Sequence, residues 1–333
     1  MRVVAMKNRR AEFGAMNTLM KAGLLSGDLL PYVEIIREGG SYDVARWSEL
    51  FRDRMLFIDY LRCDVKKYRG HDAEQIKLVY QLNNNLPLYC NKLLGLSVYE
   101  NVIPVISIRE GVDKLTPNEA KDLMDSLRQS RNGSPIAIRI EDFEGYEDVL
   151  INSLTAEDYL FYDISEQRLA SKVMEHAELN NLGVTAHRGV LCSTRLRDVS
   201  NKSYENGSPT SLIDCEGAVT YAKYGYEFYG DYAGLKDNLP TRGGGGQGSA
   251  LAVLFDANIN KFRTYVCDDA DLGVEGYPQV MDAVIADQSV LDPDNDCIAL
   301  ETIRSMAADG KTGNWESWIK ITLLRTIQQL GKS

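Results

Sequence analysis

The sequence predicts an α/β protein with a (β/α)8 TIM-barrel-like fold and a C-terminal hairpin-plus-helix extension. Three observations predict it. Short apolar runs alternate with helical stretches of about 10–15 residues, the pattern of parallel βαβ units. Eight such runs fall within about 235 residues, a usual span for an eight-stranded barrel. The runs end in or beside polar residues, the last being Glu227-Phe228-Tyr229-Gly230-Asp231-Tyr232-Ala233-Gly234, where an aromatic run turns at Asp231. The same local signals fit a doubly wound open sheet, and strand count and size favour the barrel. The expected organisation is a barrel over residues 1–240 and an extension packed on it over 241–333.

The first strand is Val3-Val4-Ala5-Met6, ending at Lys7. An amphipathic helix follows through Phe13, Met16, Leu19 and Met20, and Gly23 closes it. The second strand, residues 29–36, carries Glu34 near its end. Ser41 is placed to cap the next helix, whose apolar stripe is Val44, Trp47, Leu50 and Phe51. Met55-Leu56-Phe57-Ile58-Asp59 reads as a buried strand ending in an acid. Residues 60–100 exceed one βα step, with helices expected from Asp72 and over 86–96.

The fourth strand spans 102–108, with Arg109 after it. Thr116-Pro117-Asn118-Glu119 supplies an N-cap, a proline at the first helical position and the acid of a capping box. The fifth strand, 135–140, contains Arg139 and precedes Glu141 and Asp142. The sixth, 159–164, contains Asp163, and Ser165 is placed to cap the helix after it. The seventh is expected over 182–186, ending at His187-Arg188. A helix over 218–224 leads to the eighth, 227–229. After Pro240 come a glycine-rich loop at 243–248, a hairpin around Asn258-Ile259-Asn260, and a final helix. That helix carries the stripe Trp315, Trp318, Ile319, Thr322, Leu323, Ile327 and Leu330. At helical spacing this is a packing stripe before it is a docking face.

Composition narrows the function. A net charge of −11 and a pI near 4.9 argue against non-specific nucleic-acid binding, which needs a basic surface to displace counterions. No apolar run approaches the roughly 18–20 residues of a membrane helix. The first apolar run is too short for a signal peptide, so a cytoplasmic protein is expected. Cys63, Cys90, Cys192, Cys215, Cys267 and Cys297 lie far apart without zinc-ligand spacing, as reduced thiols do.

In a barrel the strand-end residues converge on one mouth, where barrel active sites are built. The candidate mouth residues are Lys7, Glu34, Asp59, His187 and Asp231, with Arg109, Arg139 and Arg188 as candidate anion contacts. Glu34, Asp59, Asp163 and Asp231 are the acids available for a divalent cation, the one cofactor the pattern suggests. His187 is the histidine that follows an expected strand, suited to moving protons near neutral pH. Polar residues also occur at strand ends simply because strands meet solvent there, and such a ring fits a salt-bridge network equally. The glycine loop lacks the lysine and hydroxyl of a phosphate-binding P-loop and opens no helix, so it reads as a linker or flap. Arg242 before it is a further anion contact if the loop closes.

Several short motifs run in order across nearly the whole chain. They are Met6-Lys7-Asn8-Arg9-Arg10-Ala11-Glu12-Phe13-Gly14-Ala15-Met16, Leu30-Pro31-Tyr32-Val33-Glu34, Gly230-Asp231-Tyr232-Ala233-Gly234, Asp296-Cys297-Ile298, Gly313-Asn314-Trp315 and Ser317-Trp318. Together they resemble the phage and prophage "beta protein" family (beta family proteins). The resemblance implies a barrel-type protein of phages, prophages and satellite elements, sometimes in a small cassette beside a lethal gene. It would be an antiviral defense or toxin–antitoxin component. The matching motifs draw attention to Lys7, Glu34 and Asp231 and bring no established catalytic set. Members of the family tend to carry a histidine pair in the last helix, where this chain reads Leu323-Leu324-Arg325-Thr326. A site served by that pair would use another group here.

Three functions are therefore weighed. The first is a phage-defence or toxin-control component that binds a protein partner encoded nearby, the acidic surface suiting a basic partner. The second is a metal-dependent enzyme acting on a phosphorylated or otherwise anionic small molecule at the mouth. The third is a sensor that binds such a ligand without turnover.

Overall fold

The structure, a computed structural model, describes residues 1–39, 43–241 and 249–331. The expected cap Ser41, Arg242 and the glycine loop at 243–248 lie outside the described residues. The strands are β1 (Arg2–Lys7), β2 (Leu29–Ile35), β3 (Leu56–Tyr60), β4 (Val102–Ile108), β5 (Ala137–Ile140), β6 (Tyr159–Asp163), β7 (His187–Leu191), β8 (Ser208–Pro209), β9 (Phe228–Asp231), β10 (Leu251–Asp256) and β11 (Lys261–Val266). A closed barrel forms in the order β1-β2-β3-β4-β5-β6-β7-β9, β9 pairing back onto β1 in parallel. The expected α/β barrel is therefore the fold, and the open-sheet alternative is not.

The chain divides into two compact units. The barrel unit comprises Met1–Asn8, Leu30–Ser193 and Glu216–Asp231. The second comprises Arg9–Leu29, Thr194–Cys215 and the chain from Tyr232 onward. Arg9–Leu29, Thr194–Cys215 and the residues from Tyr232 to 240 thus belong with the C-terminal part.

Within the barrel unit, β3, β4 and β5 are buried at every position, as parallel strands covered on both faces must be. Their continuous apolar runs are the sequence form of that burial. The interior is filled by rings: Phe161 lies 5.1 Å from Tyr32 and 5.0 Å from both Phe57 and Phe228, centroid to centroid, edge to face. Gly189 makes this possible. A Cβ there would stand 1.9 Å from the Phe228 ring, so β7 must carry glycine where its neighbour's ring crosses. The capping box read at Thr116 forms as expected, Thr116 Oγ1 accepting from the Glu119 amide at 3.3 Å and the Glu119 carboxylate accepting from the Thr116 amide at 2.8 Å.

The seventh strand is a correction. Residues 182–186 are the turn leaving the helix Val173–Asn181, with Gly183 at a left-handed φ of 69°. The strand itself begins at His187, which pairs with Tyr159 at the start of β6. Apolar residues just past a helix end mimicked a strand.

In the second unit β10 and β11 form the expected antiparallel hairpin, and β8 adds to β11. The helix Trp315–Leu330 starts at a capping box between Asn314 and Ser317. Trp318 is buried, stacks on Tyr277 at 5.5 Å and donates its Nε1 proton to the Thr312 carbonyl at 3.0 Å. Of the stripe on that helix Trp318, Thr322, Leu323 and Ile327 are buried packing residues, whereas Trp315 is exposed. All six cysteines are free thiols. Among the described residues no helix is long and apolar enough to cross a membrane.

Candidate functional site at the barrel strand ends

Six consecutive barrel strands bring a polar side chain to the same level near their C-terminal ends: Lys7, Glu34, Asp59, Ser107, Arg139 and Asp163. Strand register sets the level, since Glu34 pairs with Asp59 and Ser107 with Arg139. All six are buried. Arg139 is the centre. Its Nη1 donates to Glu34 Oε1 at 2.7 Å and to Asp59 Oδ2 at 2.9 Å, and its Nε to Asp163 Oδ2 at 2.8 Å. β5 neighbours neither β2 nor β3, so the guanidinium reaches Glu34 and Asp59 across the barrel interior. Its planar fork suits three carboxylates better than a lysine ammonium would. Its cation also lies over the Tyr32 ring, 5.7 Å from the centroid, which joins the ionic layer to the aromatic layer.

The remaining lone pairs are filled in turn. Lys7 Nζ donates to Glu34 Oε2 at 2.7 Å. Asp59 accepts from the Tyr32 hydroxyl and from Ser107 Oγ, each at 2.8 Å. Burial, reinforced by the Asp59 charge, pushes the Tyr32 phenol well above its ordinary pKa, so Tyr32 stays a proton donor to Asp59. The Ser107 amide donates to the Tyr89 hydroxyl at 2.7 Å. Asn8 ties the ends of β1 and β2 together, accepting from the Ile36 amide at 2.9 Å and donating to the Arg37 carbonyl at 2.7 Å.

Arg109 stands at the edge of this layer. Its Nε donates to Glu141 Oε1 at 2.8 Å, and its Nη2 lies 3.9 Å from Asp163 Oδ2. Burial pushes the Glu141 carboxyl up, but the Arg109 charge and the Glu110 amide outweigh it and hold Glu141 below the ordinary carboxylate value. Arg109 Nη1 is buried and has no hydrogen-bond partner among the described residues.

The structure thus gathers Lys7, Glu34, Asp59, Arg139 and Asp163, and sets Arg109 beside them. Asp231 ends β9 at the same end of the barrel, half-buried. His187 and Arg188 do not join them. As the first residues of β7 they stand at the opposite, N-terminal end of the barrel. There His187 Nδ1 meets Glu227 at 2.7 Å and Arg188 donates to Asn180 at 2.8 Å. The other histidines are structural in their contacts: His71 meets the Tyr68 carbonyl and Tyr80, and His176 meets Tyr226 and the Leu169 carbonyl.

Among the described residues no group of three or more His, Cys, Asp or Glu is arranged to hold a metal ion. Glu34, Asp59 and Asp163 instead converge on a guanidinium, which already occupies the place a cation would take. Sequence reasoning missed Tyr32, Ser107, Asn8 and Glu141. Tyr32 and Ser107 lie inside apolar runs, where only the alternation of strand faces could have pointed them inward. A comparison of the chain with protein-family models and with curated proteins finds no match.

Proposed function

We propose that the protein binds a small anionic molecule at the C-terminal ends of its barrel strands and acts on it by proton transfer. The observation that carries this is Arg109. Its guanidinium is buried and tied down at Nε, yet its Nη1 has no acceptor. A buried donor left without a partner costs roughly 1–3 kcal/mol, which an anionic oxygen would recover. The location agrees, because barrel sites form at this end of the strands. The Lys7–Glu34 pair supplies a proton donor and acceptor already in contact.

Calorimetric titration with inorganic phosphate, sugar phosphates, phosphodiesters and dicarboxylates tests the reading in wild type and Arg109→Gln. One of these classes binds the wild type and is lost in the variant. If no anion binds, or if Arg109→Gln binds as well as wild type, the reading falls. Mass spectrometry of the bound anion after incubation separates an enzyme from a sensor.

The motif run that resembles the beta protein family, together with the net charge of −11, supports a second reading: a phage-defence or toxin-control component that binds a basic protein encoded nearby. Co-expression with the products of the flanking genes tests it. Failure of every one of them to form a stable complex removes it.

A further inference from the structure

Arg62 lies two residues beyond the end of β3 and is fully buried. Its charge meets no carboxylate among the described residues. Nε donates to the Leu82 carbonyl at 3.2 Å, Nη2 donates to the Asp113 carbonyl, and the guanidinium lies over the Tyr89 ring at 4.8 Å. Nη1 has no hydrogen-bond partner among the described residues. Arg131 is buried in a similar way: its two Nη atoms are spent on the carbonyls of Leu96, Tyr99 and Val102, and its Nε has no hydrogen-bond partner among the described residues. Arg62 differs in leaving a terminal Nη rather than Nε unspent, and it follows the strand next to the one that Arg109 follows, where Arg109 Nη1 is unspent too.

Arg62 and Arg109 follow adjacent strands, β3 and β4. The segments they begin are interlocked. Arg62 grips Asp113, four residues past Arg109. Asp64, two residues past Arg62, packs so closely on Gly111 that a Cβ there would stand 2.6 Å from the Asp64 Cβ. Gly111 also has a φ of 78°, so glycine is required twice over. Tyr89, which carries Arg62 on its face, binds the Ser107 amide, and Ser107 in turn binds Asp59 in the ionic layer. One chain of contacts therefore runs from Arg62 through the layer to Arg139, Asp163 and Arg109.

We infer that Arg62 and Arg109 are the two arms of a clamp for one oxyanion group, a carboxylate or phosphate, of a small-molecule ligand. The inference rests on the anion-site reading above and assigns the ligand's anionic group to the segments after β3 and β4. A single oxyanion offers an acceptor oxygen to each unspent Nη1, and both contacts are charge-assisted. Two guanidiniums from adjacent strands would fix the group's orientation, leaving the rest of the ligand to face Lys7 and Glu34.

The test is titration of wild type, Arg109→Gln, Arg62→Gln and Arg62→Lys with inorganic phosphate and with oxalate. Each glutamine variant is expected to weaken the preferred anion at least about tenfold, with Arg62→Lys intermediate because it keeps the charge and loses the fork. Arg62→Gln binding as tightly as wild type while Arg109→Gln does not would overturn the clamp and leave the anion site standing. No anion binding by the wild type would overturn both. Crystals of the wild type soaked in selenate answer the question even if the Arg62 variants fail to fold. The expected anomalous peak lies about 3 Å from both Nη1 atoms. A peak contacting Arg109 alone, or no peak, overturns the clamp.

Discussion

Arg139 and Glu34 are joined across the barrel interior, Nη1 to Oε1 at 2.7 Å, from strands that share no edge. The same guanidinium holds Asp59 and Asp163. Removing it leaves buried carboxylates whose shared counter-charge is gone. Truncating one partner of a buried ion pair costs about 3–5 kcal/mol. Arg139→Met should therefore destabilise by at least that much in urea melts, and by more than Glu34→Gln, which leaves Arg139 two acids. A melt within about 1 kcal/mol of wild type would mean the carboxylates take protons or water in its place.

Gly189 is a packing position, and any side chain there meets the Phe228 ring. Gly189→Ala should cost about 1–3 kcal/mol, the usual range for overpacking a filled core, or more because two strands must separate. Gly189→Ala combined with Phe228→Leu should recover part of the loss, since the smaller side chain vacates the ring's place. Equal stability of single and double variants would show that the barrel relaxes elsewhere.

These two cases mark what the sequence discloses. Glu34, Asp59, Arg139 and Asp163 were readable because each breaks an apolar run at its end, a local signal. That Arg139 would take all three acids was not readable, since it depends on which strands face each other across the barrel. Arg62 was invisible for the same reason: nothing near it in sequence shows that it is buried or that Asp113 will hold it. His187 was misplaced because residues 182–186 are apolar yet form a turn, and only pairing with Tyr159 fixes where β7 starts. Helix starts fared better, as at Thr116, because capping is settled within four residues. The membership of Arg9–Leu29 in the second unit is again a matter of distant contacts.

Asp158 gives a control at the other end of the barrel. It is buried just before β6, and its carboxylate accepts from the Ile136 amide at 2.9 Å, the Thr155 amide at 2.7 Å, Thr155 Oγ1 at 2.9 Å and Arg128 at 2.5 Å. Charged hydrogen bonds of this kind contribute about 1.5–3 kcal/mol each, so Asp158→Ala should destabilise by about 3 kcal/mol or more. It should leave anion affinity at the strand C-terminal ends unchanged. A parallel loss of affinity in the folded variant would mean the two ends of the barrel are coupled.

His176 sets an acid limit on stability. Its Nε2 meets the Leu169 carbonyl at 3.0 Å, so that nitrogen carries the proton, and Nδ1 accepts from the Tyr226 hydroxyl at 2.6 Å. Burial lowers its pKa below the ordinary 6.5, the bond to Leu169 only partly opposing it. Below pH 6.5 the unfolded chain therefore takes up a proton that the folded chain refuses. Stability is complete above that pH and falls as the pH drops towards the folded value, the slope being positive because the unfolded state binds more protons. Urea melts at pH 7.5 and 5.5 should show this loss in wild type, on top of whatever the carboxylates contribute. In His176→Gln, which cannot titrate, the loss between the two pH values should be smaller even though the variant starts less stable. Equal losses in the two proteins would place the acid sensitivity in other groups and mean that His176 takes up its proton equally in the folded and unfolded chain over this range.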